Sequence, residues 1–375
     1  MSFLGHFNRC SAASRAAPRV ALAVLAGCAG AEPITGGLPP PPQGVDAGVD
    51  QTIAFGTPAA LNATVSLSGA GPVRMFWTRI SGPGKVNLAT EQFNSSFDDP
   101  TFTDWIGPNP VVPANTGALQ GDEGNWVDVN YATLTTERVR SGTAWKARTP
   151  LDWQHSAKLL RWRFDRTESY FGVWFWWPTD QVVNGHGTGG FTNYLNLMQW
   201  KERTSPWNPT WVIGVSGKPG TTDRDEFIIH DWYNSQPIVH TGVEIPKGQW
   251  VHLMAYMREG FGTSGALAAW LTTSPDNEAT WQTRLLYAQS GINTLGGATN
   301  ISPAHLMWGI SNYSDALVGQ GLETIYYDDV TVSPVDAGNI LTTTATFPAR
   351  GTYVLRLTAW DGTQTQSDNL TITVQ

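Results

Sequence analysis

Apolar and polar residues alternate along most of this chain, and a period of two is the pattern of β-strands. Near the C-terminus Tyr353, Leu355 and Leu357 fall on one face of such a strand, while Val354 and Arg356 fall on the other. Gly, Pro, Asn and Asp separate the short alternating runs, and long stretches with a helical period are hard to find. The pattern predicts an all-β protein.

The run Tyr170–Pro178 is predicted to be a strand with aromatic residues on both faces. Trp174 and Trp176 point one way, and Val173 and Phe175 point the other. Such a strand has no plain solvent face. Either it is buried on both faces, or one face lines a groove in which the rings stack on sugars.

The run Trp250–Arg258 is predicted to be a second strand with two different faces. One face is apolar throughout, and the other carries His252, Tyr256 and Arg258. Imidazole, phenol and guanidinium groups suit β-elimination, in which a base removes the proton next to a carboxylate and a cation stabilises the developing charge. The alternative is an ordinary solvated strand face.

The first 27 residues have the pattern of an export signal that is cleaved off. Arg9, Arg15 and Arg19 precede an apolar run that is too short to span a bilayer. The run ends in Leu25–Cys28, which resembles a bacterial lipobox. The resemblance implies that Cys28 becomes the lipidated first residue of the mature protein. An ordinary signal followed by an accidental cysteine is the alternative.

Residues 28–44 are predicted to be the lipidated cysteine and a tether that leads to the fold. Pro39–Pro42 are four consecutive prolines, which favour extended polyproline II. The other of the two cysteines, Cys10, lies in the leader, so no internal disulfide is expected in the mature chain. These features predict a lipid-anchored protein of the bacterial cell envelope, at the outer membrane or the cell surface.

Composition and charge exclude one class of partner. Charged residues make up 14% of the chain, and the formal net charge is −8. Basic runs are absent, so no nucleic-acid partner is expected. All but Trp77 and Trp360 of the 18 tryptophans fall between Trp105 and Trp308. Abundance alone does not indicate a sugar platform, because Trp is usually buried for packing.

Two distant regions read as the two halves of one small β-sandwich. Their segments are Val45–Ile53 and Phe76–Gly84 in the first half and Thr346–Gly362 in the second. Joined, they resemble a polycystic-kidney-disease-type (PKD) domain, an immunoglobulin-like module of extracellular proteins. The resemblance implies a sandwich of residues 45–92 and 339–375, with residues 93–338 inserted into it. Such an insertion requires that the two ends of the guest lie close together.

Five short motifs follow one another in the inserted segment. They are Arg140–Lys146, Asn196–Lys201, Gly248–His252, Gly265–Leu271 and Tyr327–Val330. Together they resemble the concanavalin A-like polysaccharide lyases of the heparin lyase type. The resemblance implies a concanavalin A-like β-jelly roll, whose first and last strands are neighbours. Related lectin and laminin-G-like domains share several of these motifs.

The same resemblance implies roles for single residues. Gln199 matches the Gln of the family's Gln-Trp segment, which could hold a substrate carboxylate or hydroxyl. A late strand of the family carries a Lys-x-Gly-x-Tyr pattern that supplies a catalytic Lys and Tyr. Here the matching stretch has Met307 in place of the Lys and Ser311 in place of the Tyr, with Tyr313 two residues further on.

The candidate site residues form a catalytic set and a sugar-binding set. The catalytic candidates are Gln199, His230, His252, Tyr256, Arg258 and Tyr313. The sugar-binding candidates are Trp174, Trp176, Trp200 and Trp232. His230 shares a predicted strand face with Trp232, which suits a general base beside an aromatic platform. A packed, hydrogen-bonded histidine is the alternative.

Two acidic pairs suggest a metal. Asp98 and Asp99 stand near the start of the inserted segment, and Asp328 and Asp329 stand near its end. If the first and last strands adjoin, the four carboxylates could meet and bind a structural Ca²⁺. The alternative is the ordinary chemistry of Asp at turns and strand ends.

Two functions follow from these observations. The first is a lectin-like or adhesion module that engages extracellular polysaccharide without cleaving it. The alternative is a polysaccharide lyase that cleaves a uronate-containing polymer by β-elimination. One fold can host enzymes, lectins and adhesion domains, so the fold does not separate the two. The expected partners are a polysaccharide and, through the N-terminal lipid, a membrane, and we expect a monomer.

Overall fold

The computed structural model of the protein describes residues 44–69, 71–109, 118–120, 126–129, 132–148, 157–161, 167–183, 194–202, 209–234, 237–276, 278–296, 306–314 and 324–375. Residues 42–375 form one compact unit. The predicted signal peptide (residues 1–27), the predicted lipid site at Cys28 and residues 29–43 of the predicted tether lie outside the described residues.

Nearly all of the regular structure in the described residues is β-strand, which confirms the predicted all-β class. The elements of the first half are Gly44–Asp46 (β1), Gln51–Ile53 (β2), Ala59–Asn62 (β3), Thr64–Ser66 (β4), Arg74–Ser81 (β5), Asn87–Leu88 (β6), Phe93–Ser95 (β7), Thr103–Ile106 (α1), Ala118–Gln120 (β8), Trp126–Val129 (β9), Ala132–Thr135 (β10), Ala144–Arg148 (β11) and Ala157–Arg161 (β12).

The elements of the second half are Glu168–Trp176 (β13), Tyr194–Glu202 (β14), Pro209–Gly217 (β15), Asp225–Asp231 (β16), Val239–Glu244 (β17), Trp250–Arg258 (β18), Gly265–Thr273 (β19), Gln282–Ile292 (β20), Leu306–Tyr313 (β21), Thr324–Ser333 (β22), Ala337–Leu341 (α2), Thr342–Thr346 (β23), Gly351–Trp360 (β24) and Thr365–Val374 (β25). Neither of the helices found in the described residues is long and apolar enough to cross a membrane.

Strands β1–β6 and β23–β25 pair with one another and, among the described residues, with no other strand. They form a four-stranded sheet in the order β2-β25-β24-β5, a three-stranded sheet in the order β3-β23-β6, and a β1–β4 pair. Tyr353, Leu355 and Leu357 of β24 point together into the core of this unit, as their alternation predicts. We call residues 44–92 and 339–375 the small module.

Strands β7–β22 form two larger sheets, and we call residues 93–338 the large module. The back sheet runs β10-β11-β22-β13-β18-β19-β20, with β7 paired to β22. The front sheet runs β17-β16-β15-β14-β21-β12-β9-β8. The first strand of the module, β7, lies antiparallel to the last, β22. The chain therefore enters and leaves the large module at neighbouring positions.

The core of the large module lies between its two sheets. Phe171 and Phe175 of β13 point into it from the back sheet, and Trp200 and Trp308 point into it from the front sheet. Trp105 of α1 stacks on Trp308 with ring centroids 6.4 Å apart. Aromatic side chains bury about 150–250 Å² each. Much of the tryptophan concentrated in this segment therefore serves packing.

The outer face of the back sheet packs against the small module. Tyr170, Tyr256 and Trp270 share one buried cluster with Phe76 and Trp360 of the small module. The ring of Phe76 lies 5.7 Å from that of Tyr170 and 5.3 Å from that of Trp270. This contact explains why β13 is aromatic on both sides, because most of the strand is buried on both faces.

Candidate functional site

The candidate residues divide between the two sheets of the large module. Gln199, His230, Trp232 and Tyr313 belong to the front sheet or its immediate continuation. His252, Tyr256, Arg258, Trp174 and Trp176 belong to the back sheet. The two groups lie on opposite sides of the core, so they cannot form one site.

Strand alternation sets which front-sheet side chains point away from the core. Met198 and Trp200 lie in the core, so Gln199 between them points outward. Ile229 also lies in the core, and His230 after it points outward. Gln199 and His230 therefore share the outer face of the front sheet.

Two more side chains point outward by the same rule. Lys158 lies between Ala157 and Leu159, which are both core residues. Tyr313 follows Asn312, whose side-chain amide donates a hydrogen bond of 3.0 Å across the core to the backbone oxygen of Ala147 on the back sheet. Lys158 and Tyr313 therefore emerge on the same outer face as Gln199 and His230.

Gln199 and His230 lie in one row across the front sheet. Gln199 is opposite Val212 of β15, and Val212 is opposite His230 of β16. Two strand spacings, about 10 Å, separate their backbones. Gln199 is 1% exposed and His230 is 3% exposed. The Nε2 of Gln199 has no hydrogen-bond partner among the described residues, a deficit that costs about 1–3 kcal/mol until a ligand or water completes it.

Aromatic rings flank the imidazole of His230. The ring of Trp232 stands edge-on to it at 5.0 Å, and the ring of Tyr194 lies 6.1 Å from that of Trp232. Trp232 is partly exposed. The structure thus places Trp232 beside His230, as their shared strand face led us to expect, and adds Tyr194, which the sequence analysis missed.

Lys158 and Tyr313 form a close pair on this face. The Nζ of Lys158 lies 3.4 Å from the centroid of the Tyr313 ring, which is a cation–π contact. Lys158 is opposite Ser311, where the resemblance leads one to expect a tyrosine. A lysine from the neighbouring strand thus stands on the face that has Met307 in place of the expected lysine. The pairing of β12 with β21 is not visible in the sequence, so Lys158 was missed.

A buried acid contacts an exposed imidazole further along the same face. Phe227 is a core residue, so Glu226 before it points outward, and Glu226 is 2% exposed. The Nδ1 of His240 on the edge strand β17 lies 2.5 Å from Oε1 of Glu226. The alternation of Glu226 with His230 was a usable signal in the sequence, whereas the contact with His240 depends on strand pairing.

A cleft of about 710 Å³ adjoins the Trp232 end of the front sheet. Its lining includes Asp231, Asn234 and Tyr287. The Nδ2 of Asn234 donates to Oδ2 of Asp231 at 2.7 Å. Burial, with a smaller contribution from the charge of Asp231, raises the pKa of Tyr287 to about 12. An aromatic ring beside an amide and a carboxylate is a lining that suits the edge of a sugar chain.

The second histidine lies beneath the small module. His252 is 3% exposed, and its ring stands 5.0 Å from that of Trp174, which is 1% exposed. Burial, followed by the charge of Arg140, lowers the pKa of His252 to about 3. The imidazole is therefore neutral near pH 7. We correct the prediction of a groove at these two residues, because the small module covers the sheet face on which they stand.

Tyr256 and Arg258 also have structural partners on the back sheet. The hydroxyl of Tyr256 donates to Oε1 of Glu168, and the guanidinium of Arg74 in the small module lies 4.3 Å above the Tyr256 ring. Burial, then the hydrogen bond with Glu168, raises the pKa of Tyr256 to about 12. The Nε of Arg258 donates to the backbone oxygen of Ser264 at 3.0 Å. Neither residue stands near Gln199 or His230.

The two remaining tryptophans predicted to bind sugar, Trp200 and Trp176, lie in different surroundings. Trp200 is 1% exposed and belongs to the core between the sheets. The prediction that it stacks on a sugar is wrong, because Trp200 alternates with Gln199 and so points inward. Trp176 is partly exposed on the back sheet, edge-on to Trp250 at 6.0 Å and with the guanidinium of Arg138 at 5.2 Å.

The acids at the end of the large module bind protein donors. One carboxylate oxygen of Asp328 accepts from the backbone N–H groups of Arg140 and Ser141 at 2.6 and 3.0 Å. Asp329 forms a buried ion pair with Arg79 of the small module. Burial, followed by the charge of Asp329, raises the pKa of Asp328 to about 8.

The acids at the start of the module behave similarly. Asp98 accepts from the backbone N–H of Thr143 at 3.0 Å. Asp99 accepts from the backbone and hydroxyl groups of Thr101 and Thr103, and these bonds lower its pKa although burial alone would raise it. In the described part of the chain, no group of three or more His, Cys, Asp or Glu could hold a metal ion. Turn and strand-end chemistry accounts for the contacts of these acids.

Comparisons with known proteins give no family. A scan against models of protein families finds no match, and a search of the curated proteins finds none. Among solved structures the chain is similar to an endo-β-1,4-glucuronan lyase from the fungus Trichoderma reesei, at 12% identity over 57% of this chain and 91% of that one, with a TM-score of 0.38. It is also similar to an alginate lyase from Aplysia kurodai, at 8% identity over 55% and 88%, with a TM-score of 0.37.

An alginate lyase from a Chlorella virus is a further similar structure, at 9% identity over 54% of this chain and 88% of that one, with a TM-score of 0.31. At these identities and TM-scores, the similarities carry no argument about function.

Proposed function

We propose that this protein is a polysaccharide lyase that cleaves a uronate-containing polymer at the outer face of the front sheet. One observation carries the proposal: Gln199, His230, Lys158 and Tyr313 share that face. Amide, imidazole, ammonium and phenol are group types that β-elimination uses. Three of the competing candidates on the back sheet lie against the small module, namely Tyr256, Trp174 and His252.

In the proposed reaction His230 is the base. It removes the proton from the carbon next to the uronate carboxylate, and the electron pair of that C–H bond becomes a carbon–carbon double bond as the glycosidic C–O bond breaks. His230 then returns the proton to the leaving oxygen. Gln199 donates to the carboxylate while negative charge develops there. Its unpartnered Nε2 is a donor already in place for that oxygen.

Distance decides the proposed role of the Lys158–Tyr313 pair. Gln199 is opposite Gly309 of β21, and Tyr313 lies four residues further along that strand. At about 3.4 Å per residue the separation is about 14 Å. Tyr313 is therefore too far from Gln199 to exchange a proton with the same sugar. We assign Lys158 and Tyr313 to a neighbouring sugar, whose carboxylate the ammonium would bind.

Ultraviolet absorbance of the unsaturated product tests the reaction. The purified protein is incubated with a panel of uronate polysaccharides, and the near-ultraviolet signal is followed. We expect a rise that His230→Ala slows by about 100-fold or more. His252→Ala is the matched control, since it removes a buried histidine from the other sheet, and we expect it to retain activity under conditions in which it is folded. Loss of activity in His252→Ala with full activity in His230→Ala would contradict the proposal.

A second function, lectin-like binding without cleavage, is favoured by Met307 and Ser311. These residues stand where the resemblance leads one to expect a catalytic lysine and tyrosine. Retention on a polysaccharide affinity gel with no rise in absorbance for any polymer would establish this function.

We also propose that Cys28 carries a lipid and that the protein is held in the bacterial cell envelope. The cationic leader, the apolar run and the small residues before Cys28 support this proposal. Labelling with radioactive palmitate tests it. The wild-type protein is expected to take up the label and partition with membranes, and Cys28→Ser is expected to do neither.

A further inference from the structure

A small cavity lies where the small module meets the back sheet. Its volume is about 30 Å³. Thr78 and Arg79 of β5 line it from the small module, and Trp174, His252 and Thr331 line it from the back sheet. The candidate polysaccharide site lies on the opposite sheet, so this cavity belongs to neither of the functions proposed above.

The cavity lies next to a glycine in the back sheet. A Cβ atom at Gly172 would stand 2.8 Å from Oγ1 of Thr331 and 3.1 Å from Nε2 of His252. Both of those residues line the cavity. Any larger residue at position 172 would therefore push into the space between Thr331 and His252. The absence of a side chain at position 172 thus lets the Thr331 hydroxyl and the His252 imidazole stand close against the backbone of β13.

Three polar atoms of the lining lack a partner within the protein. The Oγ1 of Thr78, the Nε of Arg79 and the Nδ1 of His252 are buried and have no hydrogen-bond partner among the described residues. The three residues are 4%, 9% and 3% exposed. Most buried polar atoms of a folded protein have a partner in the protein or in ordered water, so three around one cavity indicate that something else completes them.

The size and charge of the cavity identify the occupant that completes the hydrogen bonds of these three atoms. A cavity of about 10–15 Å³ is large enough for one water molecule. This cavity, at about 30 Å³, therefore has room for one or two water molecules and is too small for a sugar. The charged residues of the lining are Arg79 and Lys85, with Asp329 and Glu91. Two basic and two acidic side chains are balanced in number, so the lining has no large excess of either sign that would select an ion. A neutral, polar occupant fits this lining.

We propose that the cavity is an ordered-water site that joins the two modules, with water bridging Thr78 of the small module to His252 of the back sheet. Water both donates and accepts, so it can serve the hydroxyl, the guanidinium N–H and the imidazole together. His252 is then a docking residue of the module interface. The site does not depend on the proposed lyase activity.

Two valine substitutions test the site through the melting temperature. Thr78→Val keeps the shape of the side chain and removes the hydroxyl that binds the water. Thr343→Val is the matched control, because Thr343 is also a buried threonine of the small module, 7% exposed, whose Oγ1 lacks a partner among the described residues. Thr343 does not line the cavity. We expect Thr78→Val to lower the Tm by about 1–3 °C and Thr343→Val to leave it unchanged or raise it.

If the cavity is dry, both hydroxyls are unsatisfied, and both substitutions leave the Tm unchanged or raise it, which overturns the proposal. A crystal structure of the full chain gives a second readout that does not depend on stability. Density for one or two water molecules within hydrogen-bond distance of Thr78 Oγ1 and His252 supports the proposal. An empty cavity, or an anomalous peak after a bromide soak, overturns it in favour of a void or an anion.

Discussion

The outer faces of the two large sheets carry a similar pair of residues in different surroundings. On each face a buried histidine stands 5.0 Å from a tryptophan ring, His230 beside Trp232 at the front and His252 beside Trp174 at the back. The small module covers the back pair, whereas the front pair shares its face with Gln199. Residue type and spacing therefore do not fix the role of a histidine on a strand. What covers the sheet face decides it.

The largest expected effect comes from weakening the contact between the small module and the back sheet. Arg79 and Asp329 form an ion pair between the modules, with side chains 7% and 6% exposed. Arg79→Ala leaves a buried carboxylate without its partner, so we expect the free energy of unfolding to fall by about 3–5 kcal/mol. Urea denaturation measures the change.

Arg224→Ala is the control for this experiment. Arg224 pairs with Glu244 at 3.1 Å on the exposed edge of the front sheet, and an exposed pair of this kind contributes little to stability. Equal losses in the two variants would show that the contact between the modules is no stronger than a surface ion pair.

The second largest expected effect is a pH dependence of stability that arises from His252 on the back face. The pKa of His252 falls from 6.5 to about 3 on burial. A lowered histidine pKa contributes stability that is present above pH 6.5 and is lost as the pH falls towards 3, because protonation then favours the unfolded chain. At pH 5 the loss is about 2 kcal/mol. We expect His252→Asn to lack this loss, as measured by urea denaturation at pH 7 and pH 5. An identical pH dependence in the wild-type protein and the variant would refute the burial argument.

A smaller expected effect is a loss of polysaccharide affinity when Gln199 on the front face is changed. Gln199→Glu keeps the shape of the side chain but replaces an amide donor by a carboxylate, which repels a uronate. We expect the affinity for a uronate polysaccharide to fall about tenfold or more, as measured by affinity electrophoresis. Gln282→Glu on the exposed end of β20 adds the same charge away from this face, and it should leave the affinity within about twofold. Equal weakening by both would assign the effect to net charge alone.

The smallest expected effect concerns calcium. Asp328 and Asp329 are occupied by backbone N–H groups and Arg79, and Asp98 and Asp99 are occupied by threonine donors. We therefore expect a chelator to change the Tm by less than about 1 °C. A larger drop that added Ca²⁺ restores would reinstate the structural ion that the acidic pairs suggested.

Part of this organisation is readable from alternation alone. Tyr353, Leu355 and Leu357 point together into one core because a period of two admits no other arrangement in a half-buried strand. The same rule gives Gln199 and His230 as outward-facing. It also contradicts the sugar-binding role predicted for Trp200, because adjacent residues of one strand cannot both face the groove.

Other parts of the site required strand pairing. Lys158 reaches Tyr313 because β12 pairs with β21, although about 150 residues of sequence lie between them. Glu226 meets His240 because β16 pairs with β17. Local patterns carry no information about which strands become neighbours, since pairing depends on packing across the whole sheet.

The sequence by itself determined the all-β class, which residues of a regular strand share a face and the group types available on each face. These follow from backbone geometry and hold wherever the strand is placed. Only the tertiary structure decided which sheet face the small module covers, because that depends on its packing onto Tyr170, Tyr256 and Trp270 of the back sheet. Burial under the small module keeps His252 neutral inside an interface, whereas His230 lies in one row with Gln199 on the other sheet.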